Sequence, residues 1–552
     1  MHAHAFIHVN AGMLTPCRAG PRCQYLSTHL QLDTTDLTYG TSLHGSTRLF
    51  AALTKHFNRQ IFSPVTPVRS EHLLTGPGCG ALLDQLFEHL ADPGEGVLVA
   101  APYYNGFDAD LATRSQVKCV PVHSIFGDGT EARSFTGTDA LRNFEETLQQ
   151  SQKVEAVMIK SVLICNPQNP VGRCYDRGAL LAYGRFAEKH NLHLVFDEIY
   201  ALSTFATSDD SQPTPFTSAL NVDWASEAGC NPSRIHILTS ASKDFGLNGF
   251  RLGVFVSQHS AELVSAMKVT TKLYMVSSPA DALFSCLLTD DDFFSAFVKA
   301  NQRRLSAAYE HIKAWCQRHH IPYTRSNAGH FLLVDFSRFL DQASTTKEIA
   351  LWTRAFQERV CVTPGSNYHH PRMGVFRITF SMPQEILSEG LERLERALGL
   401  ATLPPARITY TDGKIEAKST SGTDWITMES LRECQSVSSD KRAGRTRTEL
   451  QAEDSKCLSS RSRSPSIFKR TRVRFWSSSS PKLSTRSLAS PPATPSKVKS
   501  PFFSRLSLDF ALTSVGGGAT VAAGMIMPEE QTEINRALDH VQLNGQIVGC
   551  LC

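Results

Sequence analysis

From about residue 46 to residue 280, short apolar runs alternate with stretches of helical periodicity, and nothing else in this chain constrains its fold so strongly. The runs include His72-Leu-Leu-Thr75, Val97-Leu-Val-Ala100, Val117–Val122, Ala156–Ile164, Asn191–Asp197, Ile235–Thr239 and Leu252–Val256. Between them lie helix-like segments such as Leu82–Leu90, followed by the breaker Asp92-Pro-Gly94. Buried strands separated by helical crossovers predict a mostly parallel α/β sheet with helices on both faces. The character changes from about 290 to 400. A long amphipathic helix over Phe294–His319, apolar strands at Phe331–Phe336 and Val375–Phe380, and a helix over Ile386–Leu400 predict a second, smaller α+β unit.

Three segments at the ends of these runs carry chemistry. Ser240-Ala-Ser-Lys-Asp-Phe-Gly-Leu-Asn-Gly-Phe-Arg251 sets Lys243 between two hydroxyls, with Arg251 eight positions on and Gly246, Gly249 and Gly253 nearby. A lysine there suits a Schiff-base role, because glycines let backbone approach a bulky cofactor and the hydroxyls and arginine can hold a phosphate. Ile164-Cys-Asn-Pro-Gln-Asn-Pro-Val-Gly172 doubles Asn-Pro after a buried run, and the prolines stiffen the turn that aims an asparagine amide. Asn191-Leu-His-Leu-Val-Phe-Asp-Glu-Ile-Tyr200 ends a strand in Asp197, with Tyr200 three residues on, where open α/β sheets place ligand contacts. Each segment alone is weak; their order together is specific.

Together the segments resemble the fold-type I pyridoxal-phosphate (PLP) enzymes of the aminotransferase class I/II family, in the branch that contains the 1-aminocyclopropane-1-carboxylate (ACC) synthases. Pro102-Tyr-Tyr-Asn-Gly-Phe-Asp-Ala-Asp-Leu111 and Ala91-Asp-Pro-Gly94 are close to segments of that branch. Leu37-Thr-Tyr-Gly40 and Cys165–Tyr175 look most like members from filamentous fungi associated with secondary metabolism. The resemblance covers roughly residues 25 to 400 and implies a seven-stranded type of sheet. It makes Lys243 the residue that forms the aldimine with PLP and shuttles the substrate Cα proton. Asp197 would pair with the pyridinium nitrogen, Tyr200 and Asn169 would hydrogen-bond the phenolic oxygen, and Tyr104 would stack on the ring. Gly78 and Cys79 at a helix N-terminus, with Ser240 and Arg251, would hold the phosphate. Arg377 would clamp the substrate carboxylate. A one-residue shift would exchange Tyr104 with Tyr103, and Cys79 stands where relatives often carry a hydroxyl.

Two departures bear on the reaction. Relatives begin with a Gly-x-Ala-Glu-Asn type segment that closes over the substrate, whereas Met1-His-Ala-His-Ala-Phe-Ile-His8 shows nothing like it, so an incomplete arm is expected. ACC synthases place a tyrosine just before a His-Gly pair; here Leu43 precedes His44-Gly45, and Tyr39 is the nearest tyrosine. The expected activity is therefore transamination of an L-amino acid. A lyase (ACC synthase-like or C–S cleaving) comes second, and an inactive regulatory homologue is the remaining alternative.

The expected organisation is an N-terminal segment over 1–40, a large PLP-binding domain over 41–285, a small α+β domain over 286–400 and a low-complexity, largely disordered tail over 401–552. Residues 456–507 are rich in Ser, Arg, Lys and Pro, a composition that cannot bury a core. Phosphorylatable Ser-Pro sites could serve a partner there, with Phe475-Trp476 as a sticky point, but a solvated appendage is the plainer expectation. A net charge of +4 over 552 residues implies no nucleic-acid partner. Fourteen cysteines without CxxC spacing resemble reduced thiols, and a cytoplasmic homodimer is expected, since fold-type I sites lie between subunits. His2, His4 and His8 alternate like metal ligands, yet terminal histidines are ordinarily solvated, so no metal is expected. No long apolar run predicts a membrane span, and no signal peptide is legible.

Overall fold

The computed structural model of the chain describes residues 7–8, 21–123, 131–401, 407–411 and 414–418. Seven strands form the main sheet: β1 (Leu73–Gly76), β2 (Gly96–Ala101), β3 (Lys118–His123), β4 (Ile159–Cys165), β5 (His193–Asp197), β6 (Ile235–Ser240) and β7 (Gly253–Val256). Their spatial order is β1-β7-β6-β5-β4-β2-β3. All neighbours pair in parallel except those of β7, which runs against both β6 and β1. Apart from the edge strand β3, the strands are buried on both faces, which explains why they read as continuous apolar runs instead of alternating ones. The expected parallel α/β architecture is what forms.

Helix ends are specified locally. Ser46, Asp176 and Asp290 cap the helices Thr47–Phe57, Arg177–His190 and Asp291–Arg318 by accepting from Leu49, Ala179 and Phe293 backbone N–H groups. Such a cap stabilises a helix by about 1 kcal/mol. The last helix begins three residues before the expected Phe294, because Asp290 supplies the stop that the apolar pattern lacks. The strand expected from Ala156 begins only at Ile159, since Ala156 itself has φ of 54°.

A second sheet has three antiparallel strands, β8 (Phe331–Asp335), β9 (Thr363–Pro364) and β10 (Val375–Thr379), in the order β9-β10-β8. Tyr309, Ile312 and Trp315 of the long helix, Leu332 and Val334 of β8, Phe376 and Ile378 of β10, and Leu387 and Leu391 of helix Gln384–Leu398 form its own buried core. Full burial of one such side chain contributes roughly 1.5–3 kcal/mol. Past residue 401, Arg407–Thr411 pairs with Lys414–Lys418 as an antiparallel hairpin. The Asp412-Gly413 between them is a strong hairpin signal that the low-complexity reading passed over. His2, His4, the segment 456–507 and most of the expected tail lie outside the described residues.

Candidate active site

The topology gathers the candidates at one edge. Five parallel strands end there, β2 leading into Tyr103-Tyr104, β4 into Asn166–Gly172, β5 in Asp197 and β6 in Ser240, while antiparallel β7 starts there just after Arg251. The chain passes from β3 back across β2 to β4, so the carboxyl ends of β2 and β4 flank a point where strand order reverses, the usual ligand crevice of such sheets.

After β6 the chain makes a compact loop. The Ser242 N–H donates to Ser240 Oγ at 3.1 Å, the Gly246 N–H to the Lys243 carbonyl at 3.0 Å, and the Leu247 N–H to the Ala241 carbonyl at 3.1 Å. Gly246 at φ of 59° makes this return possible. Lys243 is half-buried at its turn.

A cradle for an anion stands beside it. Helix Cys79–Leu90 starts after Gly78, whose φ is 98°. A Cβ on Gly78 would lie 2.5 Å from Arg251 Nη2, and one on Gly253 would lie 2.6 Å from the Gly78 carbonyl carbon. Only glycines let these three backbones and the guanidinium approach so closely. Arg251 Nη2 also donates to the Pro77 carbonyl at 3.2 Å, which holds its charge at the helix N-terminus. Ser240 and Cys79 are hydrogen-bonded side chain to side chain, and burial first, then the Asp197 charge, pushes the Cys79 thiol up. An anion here would meet backbone N–H groups, a helix dipole and a guanidinium together.

Asp197, at the end of β5, is buried, and its Oδ1 accepts from the Ile199 N–H at 3.2 Å. Desolvation raises its pKa to about 7, with Asp110 adding to the shift and Lys243 opposing it. A carboxylate so placed gains most from a cation brought beside it. Asn169 is buried too, and its Oδ1 accepts from Arg377 Nη1 at 2.9 Å, which leaves the amide nitrogen as the end that can donate. Arg377 lies mid-way along β10, with its guanidinium 4.6 Å from the Tyr368 ring centroid and 5.0 Å from that of Phe331. Tyr200 is buried edge-on to Phe331 and His330, at centroid separations of 5.3 Å in both cases. Burial drives its phenol upward, and Arg377 draws it back.

The two tyrosines after β2 separate cleanly. Tyr103 is buried, donates to Asp108 Oδ1 at 2.7 Å and stacks on His369 at 4.4 Å. Tyr104 is half-exposed, stands edge-on to Phe107 at 5.3 Å and is near enough to Tyr200 for their charges to interact. Gly106 is required beneath it, because a Cβ there would fall 2.4 Å from the Tyr104 ring. Leu43 is 39% exposed and Tyr39 76% exposed, and the carbonyl of His44, just after Leu43, accepts from Thr75 Oγ1 at 2.6 Å.

The three segments that carry the sequence motifs therefore meet, joined by Arg377 from the smaller sheet. The donor set, a cradle for a phosphate and a buried carboxyl seeking a cation beside a lysine, fits a phosphorylated aromatic cation such as PLP. Sequence reasoning missed three buried acids, Asp244, Glu198 and Glu348, and the half-buried Asp110. Asp110, Asp244 and Glu198 are raised to about 6, 7 and 8 by burial, and Asp244 joins Ser203 and His330 in one hydrogen-bonded chain. The fourth is Glu348, which accepts from the Gly374 N–H at 2.8 Å and so braces the turn into β10.

Residues 19–394 match the family model "Aminotransferase class I and II". The chain belongs to that family. Among curated relatives it is 32% identical over 370 residues to the probable aminotransferase gliI of Aspergillus fumigatus, covering 66% of this chain and 82% of that one. It is likewise 32% identical over 367 residues to 1-aminocyclopropane-1-carboxylate synthase 4 of Oryza sativa subsp. japonica, covering 64% and 72%. Among solved structures it superposes on Bna3p, a putative kynurenine aminotransferase from Saccharomyces cerevisiae, with a TM-score of 0.60 at 19% identity, over 72% of this chain and 93% of that one. The fold-type I architecture is thus common to the chain and these aminotransferases. Among the described residues no helix is long and apolar enough to cross a membrane.

Proposed function

We propose that this family member is a PLP-dependent aminotransferase acting on an L-amino acid. The observation that carries the reading is the buried Asp197 at the end of its strand, raised to about 7 beside Lys243 and the Gly78–Arg251 cradle, an arrangement suited to a cationic phosphorylated ring. When bound, PLP supplies an electron sink for the pair left at the substrate Cα. The residues divide the remaining work. The Cys79 N–H at the helix N-terminus, Ser240 and Arg251 would hold the phosphate, with Gly78 shaping the cradle while its own N–H donates to the Gly76 carbonyl at 2.8 Å. Asp197 keeps the ring nitrogen protonated. Tyr200 and Asn169 would donate to the phenolic oxygen, and Tyr104 would stack on the ring. Arg377 clamps the substrate carboxylate, and Lys243 Nζ removes the Cα proton and returns it. A homodimer and the division of the chain into 41–285 and 286–400 belong to the same proposal.

A lyase is the second reading, favoured by the ACC synthases among the relatives and opposed by Leu43, which stands where those enzymes carry a tyrosine. The protein loaded with PLP should transfer amino groups from L-amino acids to a 2-oxo acid, and S-adenosylmethionine should yield little cyclopropane product. Efficient ACC formation would replace the first reading by the second. Failure to bind PLP would remove both.

A further inference from the structure

Beneath Lys243 and Tyr200 runs a buried hydrogen-bonded chain that no motif announces. Ser203, with 0% exposure, donates from Oγ to Asp244 Oδ1 at 2.6 Å, and the Leu202 N–H donates to Asp244 Oδ2 at 2.9 Å. His330, with 1% exposure, reaches Ser203 Oγ through Nε2 at 3.1 Å. A hydroxyl has one proton; with Asp244 ionised its carboxylate takes that proton, and Nε2 is then the donor to Ser203. His330 is then the neutral Nε2–H tautomer with a bare Nδ1, and Nδ1 accordingly meets no hydrogen-bond partner among the described residues. Burial and the neighbouring charges of Lys243 and Arg377 both keep the imidazole neutral.

The three residues stand on different parts of the fold. Asp244 follows Lys243 in the loop after β6, Ser203 follows β5, and His330 immediately precedes β8 of the smaller sheet. Backbone contacts run alongside, the Gly329 N–H to the Ser203 carbonyl at 2.9 Å and the Phe205 N–H to the Asn327 carbonyl at 2.9 Å. We propose that His330 is a positioning residue for Lys243: its Nε2–H orients Ser203, Ser203 holds Asp244, and Asp244 fixes the loop that carries the lysine relative to the smaller sheet. This rests on the role proposed above for Lys243. The chain also keeps a carboxylate near Asp197, whose charge Asp244 senses. A donor to Ser203 strengthens its own donation to Asp244, since consecutive hydrogen bonds polarise one another.

The test uses the full chain loaded with PLP, as the parent and as His330→Leu, His330→Gln and His330→Asn. Glutamine carries its amide nitrogen at the reach of Nε2 and can still donate to Ser203, whereas asparagine places its polar end near Nδ1. Borohydride should fix the cofactor to Lys243 in all four proteins. Exchange of substrate Cα hydrogen with solvent deuterium should fall roughly tenfold or more in His330→Leu and His330→Asn, with KM little changed, and return to within about threefold of the parent in His330→Gln. Nitrogen NMR of the histidine-labelled apoprotein should show His330 protonated at Nε2 only. Rescue by asparagine in place of glutamine, or the opposite tautomer, would overturn the proposal. Equal exchange rates in four proteins that all carry the Lys243 link would overturn it while leaving the proposed function intact. A parent that forms no link would overturn both. Should His330→Leu fail to fold, the comparison of glutamine with asparagine decides alone.

Discussion

Asp197→Asn should make the apoprotein more stable above neutral pH while disabling the loaded enzyme. Burial raises the Asp197 carboxyl from 3.8 to about 7. Between those values the folded chain retains a proton that the unfolded chain has released, so stability falls as pH rises through the window. The contribution is complete below 3.8 and lost above about 7. Roughly three pH units at 1.36 kcal/mol each amount to about 4 kcal/mol. Asparagine keeps an acceptor for the Ile199 N–H and has no proton to lose. Urea unfolding midpoints of the two apoproteins should therefore nearly coincide at pH 4 and diverge by pH 8, with the variant ahead. Asp244 and Glu198 feel the Asp197 charge only as the smallest contribution to their shifts, so the difference between the two proteins reports chiefly on Asp197. In the loaded enzyme the sign reverses, because an amide cannot hold the ring nitrogen's proton, and Cα hydrogen exchange should slow by several orders of magnitude. Identical pH dependence of the two apoproteins would refute the electrostatic argument, and exchange at the parent rate would refute the assigned role.

Four further outcomes follow from the same geometry. Lys243→Ala should abolish the borohydride-fixed cofactor and turnover without lowering the unfolding midpoint of the apoprotein; normal turnover with a reducible link retained would exclude the assignment. Gly78→Ala should weaken PLP binding roughly tenfold or more, measured by fluorescence titration, because the new Cβ meets Arg251 Nη2 at 2.5 Å and the φ of 98° is strained for alanine. Arg377→Gln should raise KM for the amino acid far more than it lowers PLP affinity, since the guanidinium contacts Asn169, Tyr368 and Phe331, none of which builds the phosphate cradle. A chain ending at Ala401 should remain active, because every candidate site residue precedes it and the last core helix closes at Leu398; loss of PLP binding would make later residues part of the enzyme.

The main sheet was legible because parallel strands buried on both faces must be apolar throughout, and β2, β4 and β6 obey that rule. Candidate residues at strand ends were legible for a related reason, since each lies within a few positions of an apolar run and needs only the direction of the strand to be placed. Contacts that join distant segments have no such local sign. His330 and Ser203 are 127 positions apart, and Ser203 and Asp244 are 41 apart, so nothing in either neighbourhood marks them as partners. The choice between Tyr103 and Tyr104 turned on Asp108 and His369, one five residues away and the other on a loop of the smaller sheet. Spacing cannot separate two adjacent tyrosines, but a carboxylate within 2.7 Å of one hydroxyl can. Tyr103, engaged by that carboxylate and by the Tyr368 carbonyl, fastens its loop to the smaller sheet, and this anchoring is what leaves Tyr104 at the crevice beside Tyr200.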